Sequence, residues 1–156
     1  MNEKAQRIKE LCEVAIKTFV PKTAYHEDGR IEHESYCNQL VAFIASETGY
    51  SYFKGLLAND IIRHMEKSGD FAKVSYIDAK RLADDGLLVV LGLPDVPHGH
   101  VNVAYPGGSL VFSKKWNTSC PTVANVGPTA DSCGIMGANW TYPSKEPTCY
   151  ALIPRN

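Results

Sequence analysis

The sequence changes character at Gly86, and this change limits the fold more than any other feature does. Before it, apolar residues recur at helical spacing and predict helices over residues 3–18, 36–47, 56–67 and 77–83. After it, apolar or alternating runs separated by Gly- and Pro-containing turns predict strands over residues 87–93, 100–105, 109–116, 120–126 and 149–154. This order predicts an α+β fold, with N-terminal helices packed on a C-terminal antiparallel sheet.

Three local features refine this prediction. The polar segment 22–34 predicts a loop between the first two helices. Ser35 is a favourable N-cap for the second helix. The Pro-Gly-Gly turn at 106–108 predicts that the strands 100–105 and 109–116 pair as a hairpin.

Length and charge narrow the functional class. A chain of 156 residues has the size of one domain, over residues 1–156. Its 16 Lys and Arg residues against 17 Asp and Glu leave a net charge of -1, which argues against nucleic acid or an anionic membrane as the main partner. The longest apolar stretch, Leu87–Leu93, is shorter than the ~20 residues of a membrane span. The N-terminal segment lacks the apolar block of a secretory signal, so we expect either a cytoplasmic location or export without such a signal.

Cys37 is the first candidate for chemistry. It is the second residue of the predicted helix that Ser35 caps, where free backbone N–H groups and the helix dipole favour a thiolate. A thiolate there can attack a carbonyl carbon, and the same N–H groups can bind the resulting oxyanion. The alternative interpretation is that Cys37 is a small core residue or half of a disulfide.

His100 is the candidate base for this thiol. It opens an alternating strand directly after a turn that contains Pro and Gly, which predicts a position at a sheet edge. A histidine facing a helix-start cysteine can deprotonate the thiol and later protonate a leaving amine. His98 is the nearby competitor for this role. Alternation places the His100 and Asn102 side chains on one side of the strand.

The residues around these two positions resemble a known family. The segments YCNQLVAFIASETG, GLLANDIIRHME, GLLVVLGL and GHVNVAYPGG are similar to papain-like cell-wall amidases of the CHAP and NlpC type. In that family a cysteine opens a helix and a G-H-V strand carries the base. The similarity is greatest to small amidase effectors of type VI secretion systems and covers roughly residues 35–126. The motif Y-C-N-Q differs from the D-C-S-G common in NlpC-type members.

The resemblance implies a papain-like fold and a cysteine amidase that cuts peptide bonds of peptidoglycan without a metal or cofactor. Cys37 would be the nucleophile and His100 the base, while the N–H of Cys37 and a donor at Asn38 would hold the oxyanion. Trp116, Trp140 and Tyr142 would line a groove for a glycan or a stem peptide, although large aromatic residues are more often core. An effector of this kind would be delivered to the periplasm and would have a cognate immunity protein as a partner.

A third polar group is expected to orient the histidine through its second nitrogen. Asn125, on the strand predicted over 120–126, fits a Cys–His–Asn arrangement best. Its position before Gly127 also fits a simple turn. Other candidates stay open: a backbone carbonyl, or the side chains of Asp95, Ser113 and Asn117.

The other cysteines predict a supporting role. An odd count of five fits two disulfides and one free thiol. Pairing Cys12 with Cys149 would tie the termini together, and pairing Cys120 with Cys133 would stabilise a loop by about 3 kcal/mol. Cys37 would then be the free thiol, and the bridges would indicate an oxidising compartment such as the periplasm. Cys12 fits a buried helix position equally well.

Three other functions compete with the amidase. A thiol acyltransferase or deamidase can use the same fold, because a fold does not determine a reaction. A wall-binding or inhibitor domain without catalysis would bury or oxidise Cys37. A metal site built from His98, His100 and cysteines is disfavoured, because the ligand spacing is poor.

Overall fold

The computed structural model describes residues 1–155, including every side chain in that range except those of His33 and Glu34. The α-helices of this part of the chain are α1 (Glu3–Thr18), α2 (Cys37–Glu47), α3 (Ala58–Lys67) and α4 (Tyr76–Asp84). The strands are β1 (Lys22–Tyr25), β2 (Ile31–Glu34), β3 (Phe71–Val74), β4 (Val89–Leu93), β5 (His100–Ala104), β6 (Val111–Ser113), β7 (Thr118–Cys120), β8 (Thr122–Asn125), β9 (Gly134–Gly137) and β10 (Thr148–Leu152). The four predicted helices are confirmed to within two residues. Residue 156, which the predicted domain includes, lies outside the described part.

The central sheet confirms the predicted α+β class. Among the described residues it contains six strands in the order β3-β10-β4-β5-β8-β9, and every neighbouring pair is antiparallel. Helices α1, α2 and α3 precede all six strands of this sheet, and α4 lies between β3 and β4. The helices are therefore mostly N-terminal.

Both faces of the sheet are covered, and each covering layer has its own core. Helices α1, α2 and α3 pack on one face, where their buried residues meet Val90, Val101 and Val103. Helix α4 and the segment around Tyr142 pack on the other face, against Val89. Strand β4 therefore needs apolar residues in both directions, which explains why its sequence is a continuous apolar run.

Strand β5 alternates between these two cores. Val101 and Val103 lie in the core formed with α1, α2 and α3, whereas Ala104 lies in the core formed with α4. Because successive side chains of a strand point to opposite faces, His100 and Asn102 lie on the same face as Ala104. This is the face opposite to the one that the body of α2 covers, whereas the thiol of Cys37, at the start of α2, reaches the backbone N–H of Val101 beside His100.

One predicted loop and one predicted strand pairing are wrong. The segment 22–34 forms the hairpin β1–β2, in which Tyr25 pairs with Ile31. Both of these side chains are exposed, so the described side chains of the hairpin form no buried apolar face that could reveal it in the sequence. The predicted hairpin between 100–105 and 109–116 does not form, because β5 pairs with β4 and β8, and β6 pairs with β7 in a separate two-stranded sheet.

Pro121 divides the strand that was predicted over 120–126. It lies between β7 and β8, which belong to different sheets. A proline has no N–H to donate to a ladder, and this favours the change of partner at that position. Its carbonyl still accepts a hydrogen bond from the N–H of Ala138, at 2.9 Å.

The predicted disulfides are wrong. All five cysteines, each of them within the described residues, carry free thiols. Cys12 lies in the core on the α1 side of the sheet and Cys149 in the core on the α4 side. Cys120 and Cys133 are likewise divided between the two sides, so the sheet separates both predicted pairs. The argument from an oxidising compartment to a periplasmic location therefore loses its basis.

No helix within residues 1–155 combines the length and the apolar character that crossing a membrane requires.

Candidate functional site

Cys37 is the first residue of α2. The N-cap residue is Tyr36 rather than the predicted Ser35, and the first bond of the helix joins the Leu40 N–H to the Tyr36 carbonyl at 3.0 Å. The N–H groups of Cys37 and Asn38 thus lie in the first turn, where the helix itself supplies no acceptor for them. Ser35 instead donates its hydroxyl to the carbonyl of Val126, at 3.3 Å.

Opposing effects act on the Cys37 thiol. Its side chain is buried, with 7% of the residue exposed, and this burial raises the pKa of the thiol above its ordinary value. Hydrogen bonds from the backbone N–H groups of Val101 and Asn38, from the Ser35 side chain and from its own N–H favour the thiolate and lower the pKa. Burial is the larger effect, so the resting thiol is protonated at neutral pH.

The contact with Val101 places the thiol at the point where the β5–β8 ladder ends. The N–H of Tyr105 bonds to the carbonyl of Thr122, and the N–H groups of alternate residues point to the same edge, so Val101 also points its N–H toward β8. The ladder stops at the pair Val103–Ala124. The thiol is therefore the group that meets the Val101 N–H, one residue along the backbone from His100.

His100 and Asn125 are in direct contact. Nε2 of His100 lies 2.6 Å from Oδ1 of Asn125, and the histidine is half-buried at the first position of β5. Burial lowers the pKa of the imidazole, and the hydrogen bond to Asn125 opposes this to a smaller extent. The resting imidazole is therefore neutral at pH 7.

The surrounding hydrogen bonds assign the tautomer of this imidazole. Nδ2 of Asn125 donates to the carbonyl of Ser132 at 2.6 Å, which fixes the orientation of the amide and leaves its oxygen facing His100. Because that oxygen can only accept, the hydrogen must be on Nε2 of His100. The lone pair of the neutral ring is then on Nδ1, the nitrogen that can take a proton.

The other candidates for the third polar group make different contacts. Ser113 accepts a hydrogen bond from the Trp116 N–H at 3.1 Å, within the turn between β6 and β7. Asn117 lies in the same turn with a φ of 53°. The backbone of Asp95 is held by Asn59, at 2.8 and 3.3 Å. Of the four side chains considered, only Asn125 bonds to His100 among the described contacts.

The predicted substrate-binding residues occupy three different settings. The side chain of Asn38 donates to the carbonyl of Leu56 at 3.0 Å, so its backbone N–H is the group directed at the thiol. Trp116 is partly buried and stacks on Tyr76 with ring centroids 5.8 Å apart, as a core residue would. Trp140 is 75% exposed, one residue before Thr141.

Three further polar residues belong to this network, namely Asn102, Thr141 and Tyr142. Sequence reasoning assigned no role to the first two and considered Tyr142 only as a groove-lining or core residue. Nδ2 of Asn102 donates both to Oδ1 of Asn125 and to Oγ1 of Thr141, at 3.0 Å each. Asn102 and Tyr142 are almost wholly buried. The signal for Asn102 was present in the alternation of HVNVA, which places it on the same side of the strand as His100.

No group of three or more His, Cys, Asp or Glu residues among the described side chains is arranged to hold a metal ion. A cavity of about 680 Å³ lies elsewhere in the molecule, between the start of α1, the segment after α2 and the end of β10. The residues that line it include Arg7, Tyr50, Tyr52, Leu88 and Arg155. Cys37, His100 and Asn125 do not line this cavity, so the candidate site is identified from its side chains and their hydrogen bonds.

Comparison of the chain with protein-family models finds no match, and a comparison with curated protein sequences finds none either. The arrangement itself has a defined chemical capacity. It combines a buried thiol with N–H donors around it and, beside the strand that supplies one of them, a neutral imidazole with an assigned tautomer. These are the components that nucleophilic acyl transfer requires.

Proposed function

We propose that this protein is a cysteine amidase in which Cys37 is the nucleophile, His100 the base and Asn125 the residue that orients the imidazole. The observation that carries the proposal is the 2.6 Å contact between Nε2 of His100 and Oδ1 of Asn125. This contact leaves Nδ1 as the basic nitrogen of a histidine whose neighbour, Val101, directs its N–H at the Cys37 thiol.

In the proposed reaction, Sγ of Cys37 attacks the carbonyl carbon of an amide while Nδ1 of His100 takes the thiol proton. The backbone N–H groups of Cys37 and Asn38 donate to the oxyanion. When the C–N bond breaks, the imidazolium returns the proton to the leaving amine, and a thioester remains. Water then attacks the thioester, His100 takes its proton, and the acid leaves as the thiol is restored.

The directions of the two pKa shifts suit a neutral resting pair. Burial raises the pKa of Cys37 and lowers that of His100, so both groups are uncharged near pH 7. The proton then moves as the thiol attacks, and the N–H groups around Sγ support the developing charge. Such a site has low reactivity toward small alkylating agents until a substrate is bound.

The resemblance supplies the substrate class for this proposal. The segments around Cys37 and His100 are similar to CHAP and NlpC-type amidases, and helix α2 packing on β5 beside an antiparallel sheet is compatible with a papain-like fold. We therefore propose stem peptides of peptidoglycan as substrates. Delivery to the periplasm as an antibacterial effector, with a cognate immunity protein as partner, belongs to the same proposal.

The test is mass spectrometry of purified peptidoglycan fragments after incubation with the protein. We expect a new fragment whose mass identifies the hydrolysed bond, and we expect Cys37→Ala and His100→Ala to lose this activity with melting temperatures within a few degrees of the wild type. Cys133→Ala is the matched control, because Cys133 is a half-exposed thiol whose Sγ contacts the carbonyl of Thr129 at 3.2 Å.

Each outcome has a distinct meaning. A fragment that gains a transferred group instead of water indicates an acyltransferase, and conversion of a side-chain amide to an acid indicates a deamidase. If the folded wild type produces no new fragment but binds the sacculus, the protein is a wall-binding domain. Activity retained in Cys37→Ala would exclude Cys37 as the nucleophile.

A further inference from the structure

We propose that Asn102 and Tyr142 form a second hydrogen-bonded layer that holds Asn125 in place and thereby keeps the His100 imidazole in the tautomer with hydrogen on Nε2. Both are positioning residues, since neither is expected to touch the substrate. The proposal deepens the role proposed above for His100 and rests on it for its effect on catalysis. The tautomer itself can be measured without any substrate.

The first observation is that Oδ1 of Asn125 accepts two hydrogen bonds. One comes from Nε2 of His100 at 2.6 Å and the other from Nδ2 of Asn102 at 3.0 Å. The register of β5 and β8 explains the second contact, because continuing it from the pair Val103–Ala124 places Asn102 opposite Asn125. Nδ2 of Asn125 donates to the carbonyl of Ser132, so both the oxygen and the nitrogen of this amide are held by hydrogen bonds.

The orientation of Asn102 is itself determined. Oγ1 of Thr141 donates to the carbonyl of Ala138 at 2.8 Å, so it accepts from Nδ2 of Asn102. The hydroxyl of Tyr142 lies 2.9 Å from Oδ1 of Asn102 and 3.0 Å from the carbonyl of Leu91. Reversing the Asn102 amide would place its oxygen against Oδ1 of Asn125, which can only accept, and against Oγ1 of Thr141, whose hydrogen is donated to Ala138.

Tyr142 also contacts the imidazole directly. Its ring centroid is 5.3 Å from that of His100 at an interplanar angle of 65°, and only 1% of the residue is exposed. The two rings thus make an edge-to-face contact, and the hydroxyl of Tyr142 lies within hydrogen-bond distance of the Asn102 amide. The bonds on the Asn125 and Asn102 amides leave one favourable orientation for each, so the network can select one tautomer of the imidazole.

The energetic reason for two layers lies in the chemistry of Asn125. If Asn102 no longer donates, only the bonds to His100 and Ser132 hold the Asn125 amide, so the amide is freer to turn away from the ring. When it turns away, the ring loses the acceptor that keeps its hydrogen on Nε2. A ring with hydrogen on Nδ1 cannot accept the thiol proton there. General-base catalysis is worth about 10²–10⁴-fold, so even partial loss of the correct tautomer lowers kcat.

The test uses ¹⁵N NMR of the imidazole in the wild type, in Asn102→Leu and in Tyr142→Phe, above the pH at which the ring is protonated. We expect the wild type to show hydrogen on Nε2 alone, and both variants to show an increased fraction with hydrogen on Nδ1. Tyr150→Phe is the matched control, because Tyr150 is a buried tyrosine whose hydroxyl bonds to Glu66 at 2.6 Å, in the core on the other face of the sheet.

In hydrolysis assays we expect kcat to fall in both network variants in proportion to the competent tautomer that remains, about twofold where half of the rings carry hydrogen on Nδ1, with KM unchanged. It should stay near the wild-type value in Tyr150→Phe. If Asn102→Leu does not fold, Tyr142→Phe, which loses one oxygen atom, still decides the question. An unchanged tautomer in a folded network variant, or an equal change in Tyr150→Phe, overturns the proposal. A tautomer that responds in a protein without hydrolase activity would leave this inference standing and remove the proposed function.

Discussion

His100 and Asn125 lie diagonally across the β5–β8 ladder, with Nε2 of the histidine 2.6 Å from Oδ1 of the asparagine. His100 is the first residue of its strand and Asn125 is the last residue of its own. The contact therefore forms at the end of the ladder, next to the N–H of Val101 that is directed at the Cys37 thiol.

We expect the free energy of unfolding to decrease as the pH falls below about 6.5. Burial lowers the pKa of folded His100, whereas an unfolded histidine has a pKa of about 6.5. Between these two values the unfolded chain binds more protons, so acid favours unfolding. Urea unfolding across this range should show the decrease in the wild type and a smaller one in His100→Gln. The exposed His98→Gln is the control, and an identical decrease in all three proteins would contradict the assignment.

We expect Asn125→Asp to raise the pKa of His100. A carboxylate next to the ring favours the imidazolium, and so it opposes the effect of burial. The acid limb of kcat/KM, which we expect below pH ~6.5 in the wild type, should therefore move to higher pH. An NMR titration of the ring measures the same shift without substrate.

Asn117→Asp is the control for this change, because it places the same charge on an exposed residue of the β6–β7 turn. Its left-handed backbone conformation is one that Asp tolerates. The interpretation of the His100–Asn125 contact would be wrong if both variants shifted the titration of His100 equally.

We expect all five cysteines to be alkylated in the unfolded protein without a reducing agent, since all of them are free in the structure. The mass increase should correspond to five labels, and to four in Cys133→Ala. A reducing agent should leave the melting temperature unchanged, because there is no bridge among these thiols to break. Fewer labels before reduction than after it would show that a disulfide forms.

We expect Gly99→Ala to destabilise the protein by about 1–3 kcal/mol and to lower activity. A Cβ at Gly99 would collide with Oδ1 of Asn59 and lie 2.9 Å from the carbonyl oxygen of Leu93, so the turn before His100 would have to move. Denaturant unfolding measures the cost. In an Asn59→Ala background one obstacle is removed, and the same substitution should cost less. An equal cost in both backgrounds would exclude this contact as the cause.

Much of the architecture could be predicted from local patterns in the chain. Helical spacing of apolar residues identified α1 to α4, and the apolar and alternating runs identified β4 and β5. These patterns are reliable because each helix or strand must bury one face or both. The exposed hairpin β1–β2 has no such requirement, so it was predicted as a loop. Strand pairing was also mispredicted for β6, because pairing depends on which strand the sheet places beside it.

The number of cysteines did not predict their pairing correctly. Their odd number suggested two bridges, but a disulfide requires Cα atoms within about 7 Å, and the sheet separates both predicted pairs. The prediction that Cys37 lies in the first turn of a helix depended only on local sequence. Its burial and its hydrogen bond with Val101 depend on the packing of α2 against β5.

The sequence by itself determined the α+β class, the position of Cys37 in the first turn of α2 and the start of β5 at His100, because these follow from periodicity and turn residues along the chain. Only the tertiary structure decided which of four polar side chains meets His100, how the Asn125 amide is oriented, and that Asn102 and Tyr142 lie behind it. The bonds from Asn125 to His100 and Asn102, and from Tyr142 to Asn102, join residues that are 23 or more positions apart in the chain, and local propensity carries no information about contacts at that separation.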